Sequence, residues 1–128
     1  MNSILIFILI CMIFCHVIDD FYLQGILAQM KQRSWWKEQI QEDYWFYKFD
    51  YIPALLAHSF SWTFMIMLPI AIYLHLHIGI PFIIYFILNI ITHAIVDNLK
   101  ANQGVMNLCF DQVTHIMQII ITWAVLVI

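Results

Sequence analysis

The sequence predicts an all-α integral membrane protein, a four-helix bundle with an amphipathic interfacial segment between its first and second helices. Of its 128 residues, 64% are hydrophobic and only 10% are charged, against roughly half and a quarter in soluble domains. Four apolar stretches have the length of about 20 residues that crosses a hydrocarbon core of about 30 Å. The segment between the first two stretches mixes charges with Trp and Tyr, which is typical of a membrane interface.

Helix-start and helix-stop signals place the spans within a single membrane domain, residues 1–128. The first span has neither a basic start nor an Ala-x-Ala site, so we expect it to be retained rather than cleaved. Pro53 and Pro81 suit the first turns of the second and third spans, because the N–H that proline lacks would be unpaired there anyway. The predicted spans are about 3–24, 52–75, 81–99 and 107–128, and the interfacial segment is 25–51.

The five Lys and Arg residues all lie in the first and third connections between spans. By the positive-inside rule these connections are cytoplasmic, so a multi-pass inner-membrane protein with both chain ends outside the cytoplasm is expected. The net charge of −3 and the absence of a basic stripe argue against nucleic acid as a partner. The three cysteines lack metal-ligand spacing and are expected to be buried thiols.

Three spans each carry a histidine and an aspartate four residues apart, a spacing that places both side chains on one helix face. The order of the pair reverses in the fourth span, which runs opposite to the first and third. The aspartates should therefore share a layer near the cytoplasmic surface, with the histidines about 6 Å deeper, level with His58 of the second span. The pairs are His16–Asp20, His93–Asp97 and Asp111–His115.

Four histidines and three aspartates at one end of a bundle predict a metal site, because a divalent cation neutralises carboxylates that could not stay ionised in apolar surroundings. Imidazole with carboxylate suits Zn first, or Mn, Fe or Co, whereas calcium prefers oxygen ligands. Seven ligands predict one catalytic ion with outer carboxylates, or two ions about 3.5–4 Å apart. The predicted ligands are His16, Asp20, His58, His93, Asp97, Asp111 and His115.

Other interpretations of the same residues stay open. The aspartates and histidines could bond to each other or relay protons without metal. The protein could carry metal or protons, although the opposite half of each span is almost wholly apolar. A non-catalytic membrane adaptor could use a metal only to hold the helices together. His75 and His77, at the far end, are expected to have a plain interfacial role.

The same residues carry a resemblance that covers nearly the whole chain. The motifs are His-x-x-x-Asp-Phe-x-Leu-Gln at 16–24, Leu-x-His-Ser at 56–59, His-x-x-x-Asp with a following lysine at 93–100, and Asp-Gln-x-x-His at 111–115. Together they resemble a family of small bacterial and phage integral membrane proteins that is defined only as a domain of unknown function. The connection after Gln24 departs from that family in its many Trp and Tyr residues. A more distant resemblance to inner-membrane metal-dependent hydrolases implies hydrolysis.

The leading hypothesis is a metal-dependent hydrolase at the cytoplasmic membrane face, acting on a lipid-linked or other membrane-delivered phosphoester, ester or amide. The metal would activate water and polarise the scissile bond, and Asp20 would be a further ligand or the general base. Lys100 would hold an anionic group, while basic residues of the interfacial segment would attract an anionic headgroup. The expected partners are the lipid bilayer, such a substrate and a second copy of the chain. Candidates for contacts to the ligands are Gln24, Asn98 and Gln112.

Overall fold

The computed structural model describes residues 3–40 and 43–128, so residues 1–2 of the predicted domain and residues 41–42 of the interfacial segment lie outside it. Helix α1 spans Ser3–Ile18 and continues as a π-helical turn, Asp19–Leu23. Three short helices follow: α2 (Leu27–Met30), α3 (Arg33–Gln39) and α4 (Tyr44–Tyr47). The long helices α5 (Tyr51–Tyr73), α6 (Ile80–Ala101) and α7 (Leu108–Val127) come after them.

Within residues 3–40 and 43–128, four helical segments are long and apolar enough to cross a membrane, which confirms the predicted all-α four-helix bundle. They are Ser3–Leu23, Trp45–Tyr73, Ile80–Ala101 and Leu108–Val127. Local sequence explains where two of them begin. Pro81 lies in the first turn of α6, where its missing N–H has no consequence. Asn107 caps α7, since its side chain accepts a hydrogen bond from the Phe110 amide at 2.9 Å, and this cap places Asp111 in the first turn.

Helix α5 is the central helix of the bundle and packs against α1, α6 and α7. Its Trp62, Ile66 and Ile70 are fully buried, together with Met12 of α1 and Ile119 of α7. Large apolar side chains also cover the outer surface of the long helices, including Phe7, Phe64, Ile87 and Ile121. Because lipid tails are as apolar as these side chains, such an outer surface suits a bilayer.

The connection between α5 and α6 lies at the opposite end of α5 from His58. It turns through His75 and Leu76, whose φ angles of 50° and 61° are uncommon for residues other than glycine. His75 and His77 are exposed there. Their contact with a membrane interface stays a prediction.

Residues 27–39, which we call the cap segment, fold back over the end of the bundle where α6 ends. The Arg33 amide donates to Asn102 Oδ1 at 2.8 Å, and Asn102 Nδ2 donates to the Lys31 carbonyl at 3.0 Å. Within the segment, Trp36 Nε1 donates to the Met30 carbonyl at 2.7 Å. These bonds bring Lys31 close to the buried polar residues of the bundle.

Candidate metal centre

Among the residues that the structure describes, eight Asp and His side chains from the four spans are buried in the half of the bundle beneath the cap segment. None of them is more than 8% exposed. Seven of the eight are ligands predicted from the sequence, and the eighth is Asp19, which was not among the predicted ligands. The eight are His16, Asp19 and Asp20 of the first span, His58 of α5, His93 and Asp97 of α6, and Asp111 and His115 of α7.

The imidazoles of α5, α6 and α7 turn their Nε2 atoms toward one another and toward two aspartates. His58 Nε2 lies 3.2 Å from His93 Nε2, 3.3 Å from Asp20 Oδ1 and 3.4 Å from Asp97 Oδ2. The other oxygen of Asp97, Oδ1, lies 3.4 Å from His115 Nε2. Nitrogen and oxygen atoms that meet in this way are what a borderline divalent metal prefers as ligands.

Two overlapping groups of these residues could hold a metal ion. One consists of Asp20, His58 and His93, and the other of His93, Asp97 and His115. Within each group the ligand atoms lie within 4.8 Å of one another. His93 belongs to both groups, so the two are parts of one connected centre.

Whether a cation fits this centre can be judged from buried polar atoms that have no hydrogen bond. His115 Nε2 and Asp111 Oδ1 are buried, 3.3 Å apart, and have no hydrogen bond to the residues that the structure describes. Buried polar atoms nearly always have a partner, and leaving one without costs about 1–3 kcal/mol. A cation that accepted the lone pair of His115 Nε2 would remove that cost, so the arrangement fits a metal.

The balance of charges in the cluster also favours a bound cation. Four carboxylates, those of Asp19, Asp20, Asp97 and Asp111, are buried here. Two ammonium groups approach them: Lys31 Nζ lies 2.5 Å from Asp97 Oδ2, and Lys100 Nζ lies 2.5 Å from Asp111 Oδ2. With neutral imidazoles, two negative charges of the four remain without a counter-charge. Because unpaired buried charge is very costly, a divalent cation or two additional protons must balance them.

His16 has a different environment from the other three histidines. Trp62 Nε1 donates to His16 Nδ1 at 2.8 Å, and a tryptophan N–H can only donate. His16 therefore carries its proton on Nε2, which donates to Gln112 Oε1 at 3.1 Å. With both nitrogens engaged, His16 lies outside both groups of convergent ligands, and its predicted role as a ligand stays a prediction.

Gln112 passes this hydrogen-bond chain on to two carboxylates. Its Nε2 donates to Asp20 Oδ2 at 3.2 Å and to Asp111 Oδ2 at 3.1 Å. The side-chain amide is thereby fixed in orientation, since its oxygen must face His16. The chain from Trp62 through His16 and Gln112 holds Asp20 with its other oxygen, Oδ1, directed at His58.

Asp19 belongs to the buried cluster but is not among the ligands predicted from the sequence. It lies in the π-helical turn, where Gln24 N donates to the Asp19 carbonyl at 3.2 Å, and π-helical turns are frequent at functional sites. Asp19 Oδ1 accepts from Ser61 Oγ at 2.7 Å, and Asp19 Oδ2 lies 3.7 Å from His58 Nδ1. A carboxylate behind an imidazole is a common device for orienting a metal ligand. The available signal was a second aspartate directly beside Asp20.

Trp62 closes the centre on the side of the apolar core. Its ring stacks on that of His93 with centroids 4.2 Å apart, and the rings of His93 and His115 stack at the same distance. The signal for Trp62 was its position four residues after His58, on the same face of α5. Its indole separates the polar centre from the buried residues Ile66 and Ile70.

A partly open cavity of about 390 Å³ reaches the centre at Asp97. Its walls combine residues from the end of the first span, the cap segment and the end of α6. The predicted site residue Lys100 lies here, and so does Lys31, one of the basic residues of the interfacial segment that the sequence predicts at the membrane surface. The cavity is lined by Gln24, Ala28, Lys31, Gln32, Asp97, Lys100 and Ala101.

The fold and the site define a class: a membrane-associated four-helix protein with a buried His/Asp cluster that could hold a metal ion. No family model, curated protein or solved structure matches the chain. The resemblance to small bacterial and phage membrane proteins therefore stays an expectation based on the motifs.

Proposed function

We propose that the protein is a metal-dependent hydrolase that acts at the cytoplasmic face of the inner membrane on a membrane-delivered ester or amide of a carboxylic or phosphoric acid. The observation that carries the proposal is the convergence of three imidazoles and two carboxylates beside a cavity that reaches them. The cytoplasmic orientation follows from the five Lys and Arg residues: four lie between the first span and α5, and Lys100 lies in the last turn of α6, at the same end of the bundle.

We infer that one ion binds per chain, held by Asp20, His58, His93, Asp97 and His115. The inference follows from His93, which belongs to both groups of convergent ligands. Its Nε2 lies 3.2 Å from His58 Nε2 and 3.7 Å from Asp97 Oδ2, and this one nitrogen has one lone pair to offer. The two uncompensated negative charges of the cluster match one divalent cation. Among such cations Zn suits the mixture of imidazole and carboxylate, and Mn, Fe and Co are the alternatives.

A bound divalent ion supplies an activated water molecule and polarises the scissile bond. In the hydrolysis, the water oxygen bonds to the phosphorus or carbonyl carbon, the bond to the leaving group breaks, and one water proton reaches the leaving group. Asp111, which the sequence predicts as a ligand, lies outside both groups of convergent ligands, and its role as a ligand stays a prediction. We assign the proton transfer to Asp111 in place of Asp20, because the buried Oδ1 of Asp111 has no hydrogen bond to the described residues. Asp20, whose Oδ1 lies 3.3 Å from His58 Nε2, is assigned as a ligand.

The cavity and the apolar core favour catalysis over the adaptor and the carrier interpretations. A metal that only holds helices together needs no cavity of substrate size beside its ligands. A carrier needs a polar route across the whole bilayer, whereas Trp62, Met12 and Ile66 fill the bundle next to the centre.

The test separates metal binding from chemistry. We expect purified, metal-loaded protein to hydrolyse one of a set of chromogenic phosphate and carboxylate esters. Asp111→Asn should keep its metal and lose at least about 100-fold in rate, a typical contribution of a positioned proton acceptor. Asp43→Asn, at an exposed position, is the matched control and should keep full activity. Metal-loaded protein that hydrolyses none of the esters, or an unimpaired Asp111→Asn, would contradict the proposal.

A further inference from the structure

We propose that the cavity beside Asp97 is a phosphate-binding subsite, in which the ammonium groups of Lys31 and Lys100 hold the phosphate of the substrate. This inference rests on the proposed hydrolase and narrows its substrates to phosphoesters. The phosphate group could belong to a lipid headgroup or to a soluble ester, and both share the same chemistry.

The two lysines come from different parts of the chain and meet at one cavity wall. Lys31 belongs to the cap segment and its side chain is 12% exposed, while Lys100 belongs to the last turns of α6 and is 34% exposed. Each ammonium lies 2.5 Å from a buried carboxylate oxygen. An ammonium has three N–H donors, so donors remain for a ligand in the cavity.

The donor set of the cavity suits an anion better than a neutral ester or amide. Each ammonium keeps N–H donors that are not used by its carboxylate, and a phosphate oxygen accepts such charge-assisted hydrogen bonds more strongly than a neutral ester or amide does. The side-chain amides of Gln24 and Gln32 also line the cavity and offer uncharged N–H donors. The volume of about 390 Å³ lies within the range of roughly 300–1,000 Å³ that is usual for small-molecule sites.

The position of Lys31 is fixed by contacts outside the cavity. Asn102 accepts from the Arg33 amide and donates to the Lys31 carbonyl, so the backbone on both sides of Gln32 is attached to the end of α6. Asp97 Oδ2 then receives the Lys31 ammonium. Such fixed positioning lowers the ordering cost of ligand binding.

The primary experiment measures binding of inorganic phosphate to the purified, metal-loaded protein by titration calorimetry. Lys31→Gln and Lys100→Gln should each weaken phosphate binding by about 10-fold or more, since each removes a charge-assisted hydrogen bond. Lys37→Gln is the matched control: it removes the same charge from an exposed position of the cap segment and should bind phosphate like the wild type. Equal weakening by Lys37→Gln would overturn the inference, because it would show that only the overall charge matters.

A second measurement avoids substitutions, which could prevent folding. Phosphate should protect Lys31 and Lys100 of the wild type, but not Lys37, from an amine-modifying reagent, as read by mass spectrometry. Equal modification of the two cavity lysines with and without phosphate would overturn the inference.

Nanodiscs separate the two sources of the phosphate group. In discs of phosphatidylcholine with added phosphatidic acid, weakened binding of inorganic phosphate would show that a lipid phosphate enters the subsite. Unchanged binding would assign the subsite to soluble esters.

Metal content of the same samples separates this inference from the proposed function. The Lys→Gln variants should retain their metal, because they remove positive charge from beside a cation. A wild type that binds metal but no phosphate would overturn the subsite and leave an ester or amide hydrolase. A wild type that takes up no metal would overturn the proposed function itself.

Discussion

At the scale of single residues, Asp19 shows how a side chain that does not face the centre can act on it. Its Oδ1 is held by Ser61 Oγ at 2.7 Å, while Oδ2 lies 3.7 Å from His58 Nδ1, on the side of the ring away from His93. Neither atom has a hydrogen bond to the described residues, and 3.7 Å is longer than a hydrogen bond. We infer that a small movement of the ring lets Nδ1–H donate to Asp19, which would orient the imidazole and make its other nitrogen a better ligand.

Asp19→Asn should weaken metal binding by about 10- to 100-fold, the usual effect of removing such a partner. The measurement is competition for the metal between the protein and a chromophoric chelator. Asp43→Asn, which removes the same charge at an exposed position, should leave the affinity unchanged. Wild-type affinity in Asp19→Asn would show that His58 needs no orienting group.

From the sequence we can predict which residues come together at the centre. We cannot predict from it which atoms of those residues face the centre. The spacing of His93 with Asp97 and of Asp111 with His115 fixes a shared helix face, and the structure brings both pairs into the cluster. The orientation of an imidazole depends instead on its contacts. Trp62 and Gln112 occupy both nitrogens of His16, and nothing in the spacing of His16 and Asp20 shows this.

At the scale of elements, α6 and α7 are joined by a second polar network that the motifs do not include. Asn89 Nδ2 donates to Thr122 Oγ1 at 3.0 Å, and Gln118 Nε2 donates to Asn89 Oδ1 at 2.8 Å and to its carbonyl at 2.9 Å. All three side chains are buried. Uncharged polar side chains at such a position hold neighbouring membrane helices together.

Asn89→Leu should lower the free energy of unfolding by about 0.6 kcal/mol, the average for a hydrogen bond between membrane helices, and by at most about 1.7 kcal/mol per bond lost. The midpoint of unfolding in mixed detergent micelles measures the change. Thr92→Val, which changes an exposed polar side chain one turn further along α6, is the control and should leave the midpoint in place. A neutral Asn89→Leu would mean that apolar packing alone holds α6 against α7.

The direction in which the cap segment folds could not be predicted from its own sequence. Its charges, Trp and Tyr predict a surface position, which says nothing about the direction in which it folds. That direction depends on Asn102, which bonds to Lys31 and Arg33 from about 70 positions further along the chain. No pattern within the segment itself shows such long-range contacts, so Lys31 appeared as a surface charge rather than a cavity residue.

At the scale of the whole molecule, the polar and apolar halves of the bundle follow one another along its axis, and the surface is not more polar than the interior as it is in a soluble protein. Large apolar side chains cover the outer surface, while the ionisable residues are buried in one half. Hydropathy predicts the four spans directly, because in lipid only a helix satisfies every backbone hydrogen bond within a single segment. The distribution of basic residues further predicts that the polar end faces the cytoplasm.

Cysteine labelling tests this orientation. In a variant without the native cysteines, His77→Cys should react with a membrane-impermeant maleimide in intact spheroplasts. Ser34→Cys, at an exposed position of the cap segment, should react only after permeabilisation. The reverse pattern would place the candidate metal centre at the outer face.

Elemental analysis of protein purified without added metal tests the candidate metal centre most directly. We expect about one divalent transition metal ion per chain in the wild type, since one ion completes the charge balance of the cluster. We expect almost none in His93→Ala, which breaks both groups of convergent ligands, and wild-type content in His77→Ala at the far end. A wild type without bound metal, or a His93→Ala variant that retains it, would show that the buried cluster is not a metal centre.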